Sequence, residues 1–337
     1  MPKDNENIRL PLIGPVEPSE PQGFTPDQMI RCEECLRANP PTRMNCLYCN
    51  VQLPLTESSA RLRQPVLRRP EKHQPGYNTI VLPDAYSLAP EVIAEAASLI
   101  KLKEPELERI LAERVPLPLA RTASREEADL ISDRLQTLGL RVVTLVDEGY
   151  VKRVKSLEFD DAQLVVNVGH AKDEMAVPWS SILLFVTARL IEKRVEVHEV
   201  KSRRAENEIV DASEFFSDEP VIDIYFSTHS ETWRLGAAGF DFSCLGAEKA
   251  LITNENIGRL QRRLFACARG AQFDDSYNRL RPLLDLAWGP EPETRSSGWR
   301  RERPGRLSIG MSTINSNDPQ FTRYSRLRHY VVANQIG

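Results

Sequence analysis

Four cysteines carry the spacing that dictates chemistry in this chain: Cys32-Glu33-Glu34-Cys35 and, ten residues on, Cys46-Leu47-Tyr48-Cys49. Each C-x-x-C pair can fold into a tight knuckle, so that four thiolates converge on one tetrahedral cation. Zinc fits, because all-thiolate tetrahedral sites suit it and its chemistry is redox-silent. A dithiol redox pair, an iron–sulfur site and disulfides are the other chemistries open to these residues. Asn39-Pro40-Pro41-Thr42 supplies a turn between the knuckles. Asn50 follows the second pair and can take the left-handed conformation that a knuckle exit needs, whereas Leu36 stands at the first exit. Four thiolates on a divalent ion leave a formal charge of about −2. Arg31, Arg37 and Arg43 are placed to offset it, while Glu33 and Glu34 oppose. Four cysteines close the coordination shell, so the expected zinc is structural.

Cys32, Cys35, Cys46 and Cys49 resemble the zinc-ribbon family over residues 29–54. The resemblance implies a small module that binds nucleic acid, binds protein or stabilises a stretch of chain. It does not choose among these.

The elements around the module must be read from pattern. Residues 1–28 carry Pro11, Pro15, Pro18, Pro21 and Pro26 with little apolar periodicity and are expected to be disordered. Residues 55–76 read as a basic linker, with Arg61, Arg63, Arg68, Arg69 and Lys72 against Glu57 and Glu71. A compact unit is expected over 77–148. Asn78–Leu82 reads as a strand, and Pro90 opens a helix to about Ile100 with Val92, Ile93, Ala96 and Ala97 on one face. Glu104-Pro105 opens a second helix, burying Leu107, Ile110 and Leu111. Ser124-Arg125-Glu126-Glu127 is a capping box for a third, which shows Ala128, Ile131, Leu135 and Leu138 and stops at Gly139. Arg141–Val146 is a strand.

That order, with Val115-Pro116-Leu117-Pro118 before the capped helix and Leu138-Gly139-Leu140-Arg141-Val142 after it, is similar to the C-terminal domain of the bacterial ribosomal stalk protein and the related adaptor of the Clp protease. The resemblance implies a helix hairpin on a three-stranded antiparallel sheet that recruits protein partners. Leu102-Lys103-Glu104-Pro105 stands where the family is rich in glycine and lysine, so only a protein-binding fold carries over.

From Val151 the composition turns β-rich, with candidate strands at 151–157, 164–168, 174–177, 182–190, 194–200, 221–227 and 232–235. Asn254–Ala268 then reads as an amphipathic helix with Ile257, Leu260 and Leu264 inward. This succession resembles the pleckstrin-homology superfold over 150–288, and Val177-Pro178-Trp179-Ser180-Ser181-Ile182 resembles a bend found in bacterial members. The resemblance implies a domain that binds phosphoinositides, peptides or proteins. Lys152, Arg153 and Lys155 are basic, but Asp160, Asp161 and Asp173 lie beside the loops, and neighbours on a strand point to opposite faces. Lipid binding is therefore not expected. Asp274–Trp288 is helical but interrupted by Pro282, and a domain boundary is expected near Gly149.

Residues 289–337 hold eight arginines (295, 300, 301, 303, 306, 323, 326 and 328) interleaved with Trp299, Phe321, Tyr324 and Tyr330. That mixture suits single-stranded nucleic acid or a protein interface. The stretch is expected to be a basic, largely disordered tail, with Leu327–Val332 able to form a strand on a partner's edge.

Composition narrows the class. Hydrophobic content of 41% and charged content of 27% are ordinary for a soluble protein, and a net charge of −4 gives no general pull toward nucleic acid. The longest apolar run, Ile182–Ala188, is strand-sized, and Met1–Gln22 has no apolar core for a signal peptide. Cys244 and Cys267 read as buried free thiols, which suits a cytoplasmic location. The five histidines (73, 170, 198, 229 and 329) sit in no motif, His198 being expected on a strand surface. Asp160-Asp161 and Asp274-Asp275 suit a turn and a helix start, and Trp179 and Trp233 suit a core. No phosphate loop, nucleophile elbow or zinc-protease motif is present.

The sequence thus predicts an α+β, multi-domain chain: a small zinc ribbon, a small α/β sandwich, a pleckstrin-homology-like β-barrel with a C-terminal helix, and disordered ends. The expected function is a non-enzymatic zinc-binding adaptor or scaffold for protein partners. A nucleic-acid-associated factor is the alternative, with weak nucleic-acid contact through module, linker and tail. No membrane span is expected.

Overall fold

The computed structural model describes residues 23–43, 45–54, 67, 70, 75–167, 174–202, 208–227, 231–298, 300–303 and 306–336. The expectations for 1–22 and for most of the basic linker, with Arg61, Arg63, Arg68, Arg69 and Lys72, lie outside them, as do Trp299, Asp173, His73, His170 and His229. The chain divides into two compact units, Met1–Gln64 and Pro65–Gly337.

In the first unit Pro26–Gln28 forms a 3-10 turn in which Thr25 N–H donates to Gln28 Oε1 at 3.0 Å. These residues are ordered, although they fall within the stretch expected to be disordered. Strand β1 (Ile30–Arg31) pairs antiparallel with β2 (Ala38–Asn39). The buried apolar side chains are Ile30, Cys32, Cys46 and Leu53. So small a core cannot offset chain entropy unaided, and such modules need a metal.

The second unit begins with β3 (Tyr77–Val81), α1 (Pro90–Ile100) and α2 (Glu104–Ala112). It continues through β4 (Leu117–Thr122), α3 (Arg125–Thr137) and β5 (Val142–Val146). Pro90 opens α1, where a missing N–H costs nothing. Ser124 Oγ accepts from Glu127 N–H at 3.3 Å at the start of α3, while Glu127 Oε1 takes the backbone N–H of Leu67 at 2.7 Å. The sheet runs β4–β3–β5, both neighbours antiparallel to β3. Strand β4 is absent from the sequence expectation because Pro116 precedes it and Pro118 enters it.

Next come β6 (Val151–Arg153), β7 (Ser156–Phe159), β8 (Gln163–Asn167) and β9 (Glu174–Pro178). Strands β7, β8 and β9 make an antiparallel sheet. A long antiparallel pair follows, β10 (Ile182–Ser202) and β11 (Glu208–Phe226), then β12 (Thr232–Gly236) and α4 (Thr253–Cys267). The chain goes on with β13 (Gln272–Asp274), α5 (Tyr277–Ala287), β14 (Glu293–Ser296), β15 (Arg300–Arg303), β16 (Arg306–Ser316) and α6 (Asp318–Ala333). The large sheet has the order β14–β16–β10–β11–β12–β6, with β13 beside β10 and β15 beside β16. In sequence β10 looks like two strands, because Glu192, Lys193 and Arg194 interrupt its apolar run.

The β10–β11 pair is a wall between two cores. Leu184, Val186, Ala188, Val221 and Tyr225 face one; Phe185, Ile222, Ile224 and Phe226 face the other. Alternation along a strand makes this partition obligatory. The second core is lined by Leu164, Trp179, Trp233, Leu260 and Leu264, with α4 packed across the curled strands. The first core joins Ile80, Leu119 and Leu135 to Leu280, Leu284 and Trp288, and to Phe321, Tyr324 and Leu327 of α6.

The stretch 289–337, expected to be largely disordered, instead contains three strands and a 16-residue helix. Phe321, Tyr324, Leu327 and Val331 recur at helical spacing and are buried, so Leu327–Val332 is helix and not strand. The first core also runs across Gly149, where a boundary was expected, and Trp288 Nε1 donates to Asn78 Oδ1 on β3 at 2.7 Å. The three-stranded sheet therefore shares a core with α5 and α6.

Helix α6 is fixed to the wall by a buried cation. Arg234 Nε and Nη2 donate to Asp223 Oδ1 and Oδ2 at 2.6 and 2.8 Å, and Nη1 reaches Asp318 in the first turn of α6. Thr322 Oγ1 accepts from Nη2 at 3.1 Å, and the Phe321 ring centre lies 4.8 Å from the guanidinium carbon. Despite burial, which disfavours the cation, Asp223 and Asp318 raise the Arg234 pKa above its ordinary value. Among the described residues no helix is long and apolar enough to cross a membrane.

Asp223→Ala leaves this guanidinium buried without its bidentate partner and should cost about 3–5 kcal/mol, read as a lower denaturant midpoint. Helix α6 also places His329 against Tyr225, ring centroids 4.6 Å apart, where burial lowers the histidine pKa. A lowered folded pKa means the unfolded chain binds more protons, so stability is lost as pH falls from about 6.5. His329→Gln should flatten that loss in melting curves taken across the same range.

Candidate metal centre

The two knuckles are built alike. Cys32 O accepts from Leu36 N–H at 3.0 Å, and Cys32 N–H donates to Arg37 O at 3.0 Å. Cys46 O accepts from Asn50 N–H at 3.0 Å, and Cys46 N–H donates to Val51 O at 2.7 Å. Each exit residue is left-handed, Leu36 at φ 59° and Asn50 at φ 60°. Asparagine takes that conformation readily, whereas leucine does so at a cost of about 1–2 kcal/mol. Arg43 N–H donates to Pro40 O at 3.1 Å, closing the turn between the knuckles.

This geometry brings all four predicted ligands together. The Sγ atoms of Cys32, Cys35, Cys46 and Cys49 lie within 4.8 Å of one another. Cys32–Cys49 and Cys35–Cys46 are each 3.5 Å apart. A tetrahedron with arms of about 2.3 Å has edges of about 3.8 Å, so the site fits one zinc ion. Cys32 and Cys46 are buried and Cys49 is exposed, which leaves one side of the cluster toward solvent.

The thiols do not ionise alike. Burial pushes Cys46 up, but the N–H groups of Tyr48 and Cys49 outweigh it and bring the thiol down to about 6. For Cys49 the N–H of Val51 lowers the value, yet burial and the three neighbouring cysteines carry it to about 12. Four thiolates therefore need a cation among them, and loading the site releases protons.

Asn39 has a role that its sequence context does not announce. Its side chain is fully buried; Nδ2 donates to Arg37 O at 2.9 Å and to Cys46 Sγ at 3.4 Å. Its Oδ1 accepts from Leu47 N–H at 2.8 Å. One amide thus ties the first knuckle to the second and donates to a ligand sulfur. In sequence, an asparagine just ahead of Pro40-Pro41 reads only as a turn residue. Arg37, expected to offset the thiolate charge, lies over the Tyr48 ring at 4.6 Å, and Arg31 and Arg43 are at the surface.

Other residues with possible chemistry are engaged elsewhere. Lys152 pairs with Glu231 at 2.5 Å and Arg153 with Glu219 at 3.4 Å. Asp160 Oδ1 accepts from Ala162 N–H at 3.0 Å, the turn expected there. Asp274 accepts from Ser276 N–H and Tyr324 Oη, each at 2.9 Å, and pairs with Arg328 at 2.5 Å. Trp179 stacks on Phe159 and Trp233 packs edge-on against Phe226. Cys267, expected to be buried, is exposed at the last residue of α4, and Cys244 is half-buried. His198 is exposed. Among the described residues, the four clustered cysteines form the group of potential metal ligands.

Compared with protein-family models, curated proteins and solved structures, the chain finds no match in any of the three.

Metal analysis of the purified chain should give one zinc per molecule; iron, or an intact protein without metal, would contradict the assignment. Cys46→Ser should unfold the first unit while the second keeps its melting transition. Asn39→Ala should weaken zinc by about 10–100-fold in chelator competition, as expected when a group bracing a ligand is lost.

Proposed function

We propose that this chain is a non-enzymatic zinc-binding adaptor that holds other proteins. The observation that carries the reading is a four-cysteine cluster with no ligand position left for a substrate, flanked by exposed Leu36, Leu47 and Tyr48. A closed shell shapes a surface instead of activating water, and exposed apolar side chains grouped on a small module suit a protein contact. The curled strands with α4 across them support the resemblance to pleckstrin-homology domains, and the three-stranded sheet with α1–α3 supports the resemblance to the stalk-protein fold. The stalk-protein resemblance implies the recruitment of protein partners, and the pleckstrin-homology resemblance implies binding of phosphoinositides, peptides or proteins. Engagement of Lys152 and Arg153 in ion pairs argues against a phosphoinositide site, and the free thiols favour a cytoplasmic setting.

The nucleic-acid reading loses part of its basis. Arg323 pairs with Asp147 at 3.2 Å, Arg328 pairs with Asp274, and Arg326 donates to Gly149 O. Arg300 and Arg301 stay exposed. Titration with single-stranded RNA should give weak affinity or none, falling with salt by about 0.7 in logarithmic slope per phosphate contact. Tight binding that survives moderate salt would overturn the adaptor reading. A protein partner retained after nuclease treatment, and lost on Tyr48→Asp, is the result that supports it.

A further inference from the structure

The outer half of the long strand pair is a sheet whose more apolar face belongs to neither core among the described residues. From Glu192 to Val200, β10 pairs with β11 on one side and with β16 on the other, and β14 and β15 extend the sheet beyond β16. Register assigns each side chain to a face, because cross-strand partners share one and alternate residues oppose. One face carries Glu192, Arg194, Glu196, His198 and Asp211, along with Phe215, Ile314 and Val200, and Arg194 lies within 3.3 Å of Glu192 and 3.7 Å of Glu196. The other carries Val195, Val197, Met311, Ile309, Phe216 and Ile209, together with Lys193, Glu199, Glu214, Thr313 and Asn315. Phe216 is 67% and Ile209 63% exposed. An antiparallel sheet with one polar face ordinarily buries the other.

We propose that this apolar face packs against the same face of a second copy of the chain, forming a two-fold dimer. Size is the first argument. The 11 residues of β16 at about 3.3 Å each, across four strands at about 4.8 Å, give a footprint of about 700 Å². That is close to the roughly 800 Å² per partner of a stable interface. Charge is the second argument. On this face Lys193 and Glu199 lie at equal distances along β10 from the level of Glu196. A two-fold axis in the plane of the interface at that level runs β10 antiparallel to its copy. It sets Lys193 of each chain across from Glu199 of the other. Lys193 also holds Glu214 of its own chain at 2.8 Å, so it stands between two acids in the dimer. The face is thus self-complementary, as a two-fold interface requires. Edge pairing of β11 with its copy is disfavoured, since Asp211, Glu214, Asp218 and Glu219 line that strand.

Sedimentation of the full, zinc-loaded chain tests this. The wild type should sediment at twice the 38.2 kDa chain mass. Phe216→Lys and Ile209→Lys, at positions exposed in the single chain, should keep the wild-type circular dichroism. Each should raise the dimer dissociation constant by about thirtyfold or more. Glu199→Lys, which sets a second cation across from Lys193, should weaken the dimer. The dimer should persist at about 1 M salt, where screening acts within about 3 Å. A wild type monomeric at every concentration, a dimer indifferent to Phe216→Lys or to Glu199→Lys, or dissociation by salt would each overturn the proposal.

Discussion

The second unit depends on a guanidinium removed from water. Arg234 is 2% exposed in its side chain and Asp223 is 0%, so neither charge could be tolerated there without the other. The bidentate pair joins neighbouring strands β11 and β12, and Asp318 with Thr322 extends it into α6. Helix α6 then has one seat, with Phe321 and Tyr324 turned into the first core. Hydrophobic burial supplies most of the driving force, but it is non-directional. The ion cluster fixes which turn of the helix meets which strand.

A second polar cluster plays a comparable part at the other end of that core. Asn78 on β3 accepts from Trp288 and donates to Asp147 at 2.7 Å, and Asp147 also receives Arg121 and Arg323. The three-stranded sheet, α5 and α6 are thereby held by hydrogen bonds as well as by packing. A wall with apolar residues on both faces, as in β10 and β11, binds the segments that flank it into one body.

How much can be read in advance follows from the range of each signal. The metal ligands are legible because four cysteines must meet for chemical reasons, whatever surrounds them. Helices α1, α3 and α4 are legible from Pro90, Ser124 and the Ile257, Leu260, Leu264 stripe, which are local devices. Helix α6 carries an equally regular stripe, yet its arginines suggest a solvated segment. The partners of Arg323 and Arg328, Asp147 and Asp274, are distant in sequence and cannot be seen from it. The same distance hides the first core: Ile80 and Phe321 share it only after folding. Asn39 is illegible because its hydrogen-bonding targets lie on opposite knuckles.

The wall also sets an order of events during synthesis. Residues that line the first core begin at Ile80 and continue to Val331, so that core cannot close until nearly all of the second unit has been made. The second core spans Val154 to Ala268 and can form while α6 is still being added. Until then Leu184, Val186 and Tyr225 line a finished wall with nothing of α6 against them. A nascent chain in that state exposes a wide apolar surface, and contacts of such long sequence separation are slow to form. The protein therefore spends its most aggregation-prone interval late in synthesis, with its second core already built.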